Sequence, residues 1–195
     1  RDNVVRAPRR TSSSASALQL LVASPDLRDP NFARSVVLML QHAEAGAIGL
    51  VLNRRSGTPL SAIWDQVADV PCTLDLPVMT GGPVEGPLVI LHGDAELNER
   101  EIMPGVYFSA HKDLITELLA QGELPMRVFA GYSGWGEGQL EAEMQEGSWS
   151  TTAATHELIF GDEETLWQQA TKRIADDILI HGLGIKHVPD RPELN

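Results

Sequence analysis

The residue best placed to act as a nucleophile is Ser133, which lies between a predicted strand and a predicted helix in residues 129–149. Hydrolases of one large class expose a serine hydroxyl on such a turn, in the pattern G-x-S-x-G. Here Trp135 occupies the position of the second glycine, and its indole would crowd a tight turn. Histidines and acids that could complete a catalytic triad follow in the chain, but an acidic sequence offers that order by composition alone. Ser133 is a candidate nucleophile, and packing of a small side chain is the alternative.

The same segment is rich in glycine, which could let the backbone cradle a phosphate at the start of a helix. The glycines are Gly131, Gly134, Gly136 and Gly138. Their spacing is neither G-x-G-x-x-G nor a P-loop with its lysine. Glu137 also places a negative charge where an anion would bind, although that charge suits the dipole of the following helix. The pattern therefore favours a structural corner over a phosphate site.

Metal and thiol chemistry have little support in the sequence. The six histidines are scattered, with no H-E-x-x-H pattern, no C-x-x-C pattern and no histidine pair four residues apart. His42 and His92 each end a predicted strand, where a ring nitrogen commonly satisfies a backbone group. Cys72 is the only cysteine, and no basic residue adjoins it in the sequence to activate the thiol. We expect no metal site, no cofactor and an inert thiol.

Two polar residues adjoin predicted core strands and must be paired or face a cleft. Arg34 precedes an apolar run at residues 36–40, and Asn53 follows the run at residues 50–52. In a structural role, Arg34 would pair with Asp29 and Asn53 would cap a hairpin. In a functional role, both would share a polar pocket with the glycine-rich corner. The candidate pocket comprises Arg34, Asn53, Gly81, Gly82, Ser133 and Trp135.

Hydrophobic periodicity places these residues on an α+β fold with one domain and a mostly antiparallel sheet. The predicted strands are residues 18–23, 35–42, 47–53, 77–80, 88–92, 106–109, 126–132, 148–151 and 156–160. Thr58 and Pro59 begin the first predicted helix, and the second runs from Ser109 to a stop at Gly122. The third spans residues 139–145, and the fourth opens at Asp162. Hairpin-length connections outnumber helical crossovers, which favours the antiparallel arrangement.

Charge separates a basic terminus from an acidic body. The chain carries a net charge of −12, and residues 1–17 contribute +3, so the remaining residues carry −12 − 3 = −15. DNA binding depends on basic side chains that neutralise phosphates, so we expect no direct contact with nucleic acid. Residues 1–17 are predicted to be a disordered Arg/Ser-rich tail, 18–186 the folded domain and 187–195 a C-terminal tail. Without a long apolar run or a signal-like segment, we expect a cytoplasmic protein with no membrane contact.

Three segments resemble the AlgH/YqgE family of small bacterial proteins. They are LVASPDLRDPNFARSVVLMLQHAEAGAIGLVLNRR at 21–55, GGPVEGPLVILH at 81–92 and FAGYSGWGEGQLEAEMQEGSW at 129–149, within a match over residues 18–185. The resemblance implies a strongly curved, pseudo-barrel sheet flanked by helices. It also implies a link to transcriptional regulation, which would have to be indirect in a chain this acidic.

These observations favour a non-enzymatic binding or regulatory protein that recognises a protein partner or a small ligand. A hydrolase that uses Ser133 is the alternative. A strongly shifted histidine beside Ser133 in a concave pocket would favour the enzyme. An exposed apolar patch bordered by acids would favour the binding protein. The oligomeric state cannot be read from one chain.

Overall fold

A computed structural model describes residues 18–123 and 125–183 of the 195-residue chain, as one α+β domain built on a ten-stranded sheet. The strands are β1 (Gln19–Ala23), β2 (Val36–Ala43), β3 (Gly46–Val51), β4 (Arg55–Pro59), β5 (Pro77–Thr80), β6 (Val84–His92), β7 (Arg100–Met103), β8 (Val106–Ser109), β9 (Met126–Trp135) and β10 (Trp149–Ala153). The helices in this part of the chain are α1 (Leu60–Val67), α2 (Lys112–Gln121), α3 (Gln139–Gln145), α4 (His156–Phe160) and α5 (Leu166–Leu183). The predicted tails at 1–17 and 187–195 lie outside the described residues.

The sheet follows the order β10-β1-β2-β3-β9-β6-β8-β7 and curls into a half-barrel. Every neighbouring pair on this path is antiparallel. Side chains that alternate along each strand fill separate cores on the two faces. Leu20 and Val22 of β1 belong to the core on the inner face, whereas Leu21 and Ala23 belong to the core beneath α3. The curvature implied by the family resemblance is therefore present.

The long strand β9 is the branch point of the sheet, because two different strands pair with the same edge of it. Its first half pairs in parallel with β5, with Val78 opposite Val128, and β4 pairs only with β5. Its second half pairs with β3, with Gly49 opposite Ser133. We call this point the strand fork. Gly131 lies within it at φ +79°, a left-handed conformation that favours glycine.

Two α-helical segments cover one end of the inner face. Residues 156–160 were predicted as a strand, and this prediction is wrong, because they form α4. Thr155 caps the helix, with its hydroxyl accepting a hydrogen bond from the Leu158 amide at 3.2 Å. Helix α5 packs on β1, β2 and β10 through Leu166, Ala170 and Ile174. An N-cap residue thus outweighed the β-branched and aromatic composition of a short segment.

Other differences between the predicted and the observed elements concern strands at the edges of the sheet and the start of a helix. The strands β4 and β7 were not predicted, because arginine, glycine and proline dominate β4 and polar residues dominate β7. Helix α2 begins at Lys112 rather than Ser109, whose side chain is instead buried at the end of β8. Gly122 ends that helix in the left-handed conformation, as predicted. Among the described helices, none has the length and apolar character needed to cross a membrane.

Candidate functional site

The strand fork brings together three of the predicted pocket residues, Gly81, Gly82 and Ser133, but leaves no space between them. A Cβ atom on Gly81 would lie 2.3 Å from the carbonyl oxygen of Gly131, and one on Gly82 would lie 2.3 Å from Ser133 Oγ. Ser133 has no exposed surface, and its hydroxyl donates to the Gly81 carbonyl at 3.0 Å. A buried hydroxyl that already donates to a backbone acceptor holds two segments of the chain together. The geometry therefore supports a structural role for Ser133.

Trp135 lies two residues further along β9 than Ser133, in a cluster of three aromatic rings. Phe32 stacks on Trp135 with ring centroids 5.8 Å apart, and Trp149 meets Trp135 edge to face at 6.0 Å. Both indole N–H groups donate to Oε2 of Glu143 in α3, at 3.0 Å from Trp135 and 2.8 Å from Trp149. The rings fill the space between them, so they form a packed anchor for the glycine-rich corner and leave no open cage.

A serine and a histidine do lie in contact in this fold, although the sequence did not predict the pair. His92 Nε2 is 2.9 Å from Ser109 Oγ, and both residues are buried. The Asp94 amide donates to His92 Nδ1 at 3.2 Å, so the ring proton lies on Nε2 and is donated to Ser109. The serine hydroxyl donates in turn to the Leu97 carbonyl at 2.8 Å. A general base would have to accept the serine proton, so these directions are opposite to those of a catalytic pair.

The two histidines expected to serve structure differ in their partners. Burial lowers the pKa of His92, against an opposing effect of Asp94, and its ring accepts from a backbone amide as expected. His42 pairs instead with a carboxylate, since its Nε2 lies 2.5 Å from Oε1 of Glu141 in α3. The hydrogen bond from His42 lowers the pKa of Glu141. Over residues 18–123 and 125–183, no group of three or more His, Cys, Asp or Glu side chains could hold a metal ion.

Arg34 and Asn53 meet where β1 and β2 are joined by a turn and where β3 ends. The side-chain oxygen of Asn53 accepts from the Val36 amide at 3.0 Å, and its Nδ2 donates to the Arg34 carbonyl at 2.9 Å. Arg34 has φ 55°, and it is the only non-glycine residue with positive φ in the described part of the chain. Its guanidinium lies over the ring of Trp167, 5.3 Å from the centroid. The expected ion pair with Asp29 does not form among the described residues.

This junction forms the wall of a cleft of about 300 Å³, which we call the arginine cleft. It is lined by Ala33, Arg34, Asn53, Arg54, Arg55, Glu163, Glu164, Trp167 and Gln168. Most of its cations already have partners. Arg54 donates to the carbonyls of Pro30 at 3.2 Å and Ala33 at 2.9 Å, and Arg55 pairs with Glu163.

Arg127 lies close to Glu163, one of the residues that line the cleft. Its guanidinium donates to the carbonyls of Leu52, at 2.9 Å, and Gly161 and lies 4.0 Å from Glu163. Burial lowers the pKa of Arg127, with Glu163 acting in the opposite direction. Burial of Glu163 works against its charge, but a backbone hydrogen bond, Arg55 and Arg127 outweigh it and hold the pKa of Glu163 below its ordinary value. The carboxylate of Glu163 is therefore ionised and neutralised by two arginines.

The predicted pocket thus divides among three places in the structure. Arg34 and Asn53 lie in the arginine cleft, Gly81, Gly82 and Ser133 lie in the strand fork, and Trp135 lies in the aromatic cluster. Sequence reasoning missed Trp167, Arg127 and Glu163. The only available signal was a charge adjoining an apolar run, which is visible for Arg127 immediately before Val128 and Phe129.

Comparisons with known proteins agree with this architecture. A family model described as AlgH-like matches residues 20–179. The chain belongs to the AlgH-like family. A UPF0301 protein of Myxococcus xanthus is 40% identical over 175 residues, which is 85% of this chain and 96% of that protein.

Two solved structures share the fold of this AlgH-like protein. The solution structure of AlgH from Pseudomonas aeruginosa matches with a TM-score of 0.62 and 28% identity, over 93% of this chain and 100% of that one. A crystal structure of a protein from Corynebacterium diphtheriae matches with a TM-score of 0.64 and 25% identity, over 80% and 85% of the two chains. The resemblance seen in the sequence is confirmed.

Proposed function

We propose that this AlgH-like protein is a non-enzymatic binding protein that docks a partner protein on the far end of α5. The observation that supports this is an apolar surface on the last turns of the helix, which we call the α5 end. Its exposed residues are Ile178 (65%), Leu179 (53%), Ile180 (37%) and Leu183 (67%). Soluble proteins rarely expose large apolar side chains in a group unless the group contacts something.

One residue of the α5 end, Ile178, continues the face by which the helix packs on its own sheet. Ala170 and Ile174 contact the inner core, and Ile178 follows Ile174 by four residues, one further turn along the same face. Past Ile174, every described residue of the helix is exposed. These side chains are already partly buried, so burying the rest of each would contribute on the order of 1 to 2 kcal/mol before the costs of association.

The negative charge around the α5 end indicates which kind of partner protein would bind there. Asp176 and Asp177 border the α5 end, and the chain beyond residue 17 carries −12 − 3 = −15. A complementary partner would present an apolar groove with a basic rim. Any effect on transcription would then pass through this protein partner in the cytoplasm, because an acidic body repels the phosphates of DNA.

The hydrolase alternative has no supporting geometry in the described residues. Ser133 is buried and donates to a backbone carbonyl, and the histidine with a shifted pKa, His92, contacts Ser109 instead. His92 lies opposite Met126 on β9, seven positions along that strand from Ser133. An enzyme based on Ser133 would need both groups in one open pocket.

Site-specific photo-crosslinking in living cells tests the proposal. A benzoylphenylalanine at Leu179 should give a crosslinked adduct with one protein partner. The same group at Gln145, an exposed position on α3, should not. The variant Leu179→Asp should compete poorly for the partner while keeping the wild-type melting temperature, because the side chain is exposed. Equal adducts at both positions, or none at Leu179, would overturn the proposal, as would an adduct only with a second copy of the chain.

A further inference from the structure

The most unusual group in the arginine cleft is the guanidinium of Arg34. Among the residues that the structure describes, it makes no hydrogen bond and no ion pair, whereas Arg54, Arg55 and Arg127 each have such partners. The guanidinium instead lies over the face of the Trp167 ring. An arginine stacked on an aromatic ring keeps its N–H donors free along the edge of the plane.

The backbone holds this guanidinium in place. A positive φ is uncommon for a residue with a side chain, and it persists where the surroundings enforce it. At Arg34 the enforcing group is Asn53, which binds the Arg34 carbonyl and the Val36 amide at once. The indole is fixed as well, since Trp167 Nε1 donates to the Ala23 carbonyl at 2.9 Å. Both the cation and the ring that supports it are therefore positioned before any ligand arrives.

The charges around the cleft favour an anion over a cation. Glu163 is neutralised by Arg55 and Arg127, and α5 begins beside the cleft with the positive end of its dipole. Glu164 is an exposed carboxylate with no side-chain partner among the described residues, and its charge opposes that of an incoming anion. A dianion such as phosphate would meet twice the repulsion from Glu164 but also twice the attraction of the arginines, so the choice between phosphate and a carboxylate rests on geometry.

We propose that the arginine cleft is a carboxylate-binding site in which the free edge of Arg34 receives both oxygens of the ligand. Planar, two-point recognition of a carboxylate is the geometry for which a guanidinium is suited. The ligand is a small organic acid or the carboxylate of a peptide. The site is separate from the α5 end, and its test does not depend on a partner at that surface.

Titration of the full chain followed by NMR of ¹⁵N-labelled protein tests this proposal. The probes are succinate, an acetylated tetrapeptide with a free C-terminal carboxylate, the same peptide as its C-terminal amide, and inorganic phosphate. The carboxylates should shift the Trp167 indole and Arg34 Nε signals in a saturable way, and the amide should not. Tighter binding of succinate or of the peptide would distinguish the two sources, and either supports a carboxylate site.

Matched variants assign the binding to Arg34. Arg34→Asn should weaken it by about tenfold or more, and asparagine tolerates the left-handed conformation. Glu164→Gln should tighten it by a few-fold, because it removes an opposing charge at an exposed position. The control is Arg100→Asn, which removes an arginine that also stacks on a ring, that of Phe108 at 5.5 Å, outside the cleft.

Three results would overturn the proposal. The first is phosphate binding more tightly than both carboxylates. The second is equal weakening by Arg34→Asn and Arg100→Asn, which would indicate general charge attraction. The third is unchanged or weaker binding in Glu164→Gln, a variant whose fold does not depend on the altered side chain.

Discussion

The glycine-rich corner and the arginine cleft both place polar groups beside an apolar core, but they differ in how completely those groups are paired. At the corner, the hydroxyl of Ser133, the two indole N–H groups and the Glu143 carboxylate all have partners within the protein. In the cleft, the guanidinium of Arg34 has no hydrogen-bond or ion-pair partner among the described residues. These polar groups of the corner are therefore all paired within the protein, whereas the N–H groups of Arg34 in the cleft are free to bind a ligand.

This difference shows that a conspicuous sequence pattern can indicate close packing rather than a functional site. Glycine, serine and tryptophan at residues 131–135 look like a catalytic turn, yet the same residue types are needed where three strands meet at one point. A close backbone crossing requires glycine, and a corner requires a large ring to fill it. The guanidinium of Arg34 is the stronger indication of binding, because it is exposed, is stacked on an indole and keeps its N–H donors free.

If the corner is a packing device, Trp135→Ala should have the largest effect of any change discussed. Truncating an indole that is 5% exposed should lower the free energy of unfolding by about 3 to 5 kcal/mol. Urea denaturation measures this, with Trp135→Phe as a milder control that keeps a ring beside Phe32. Arg34→Asn in the cleft should change stability by less than about 1 kcal/mol. A small loss for Trp135→Ala would remove the contrast between the two regions.

The strand fork gives a second test of the closed region. A methyl group on Gly81 would lie 2.3 Å from the Gly131 carbonyl oxygen, and backbone cannot move aside as a flexible side chain can. Gly81→Ala should therefore destabilise the protein by about 3 kcal/mol, at the upper end of ordinary overpacking. Gly182→Ala is the control, because no atom lies within 4 Å of the position and the residue is helical. That change should be neutral or stabilise by up to about 1 kcal/mol. Similar losses in both variants would contradict the close crossing.

The sequence predicts most of the fold because the strands that fill the cores carry short apolar runs. Strands β2, β5 and β8 are found within one residue of their predicted bounds. Strands β4 and β7 lie at edges, where polar side chains carry no periodic signal. The branch at β9 also escapes sequence reasoning, since residues 133–135 pair with a strand about 85 positions earlier in the chain.

The candidate site could be predicted only in part, for a related reason. Arg34 and Asn53 flank the neighbouring strands β2 and β3, so their proximity follows from a hairpin visible in the sequence. Trp167 reaches Arg34 only because α5 packs across β1 and β2. No local pattern specifies that long-range packing. The free guanidinium of Arg34 therefore becomes evident only in the folded protein.

Acid titration of Glu163 tests the arginine cleft by a smaller change in stability. The folded-state pKa of Glu163 is lowered, so its charge stabilises the protein above about pH 4.5, and this contribution is lost as the pH falls through the folded pKa. Glu163→Gln should cost about 2 kcal/mol at pH 7, in line with hydrogen bonds to charged groups. The difference from wild type should shrink below pH 4.5. Chemical denaturation at a series of pH values measures it, and a constant difference down to pH 3 would show that the Arg55 and Arg127 pairs are not its source.

The smallest expected effect concerns Ser133, and it decides between the two interpretations of the corner. Ser133→Ala should cost about 1 kcal/mol, because it leaves the buried Gly81 carbonyl with one fewer donor. A fluorophosphonate probe should not label Ser133 in the folded wild-type protein, because the hydroxyl has no exposed surface and faces a carbonyl rather than a base. Mass spectrometry of tryptic peptides would detect any adduct. Labelling of the folded protein that disappears both in Ser133→Ala and after denaturation would show an activated serine. The glycine-rich corner would then be an active site that opens, and the contrast with the arginine cleft would fail.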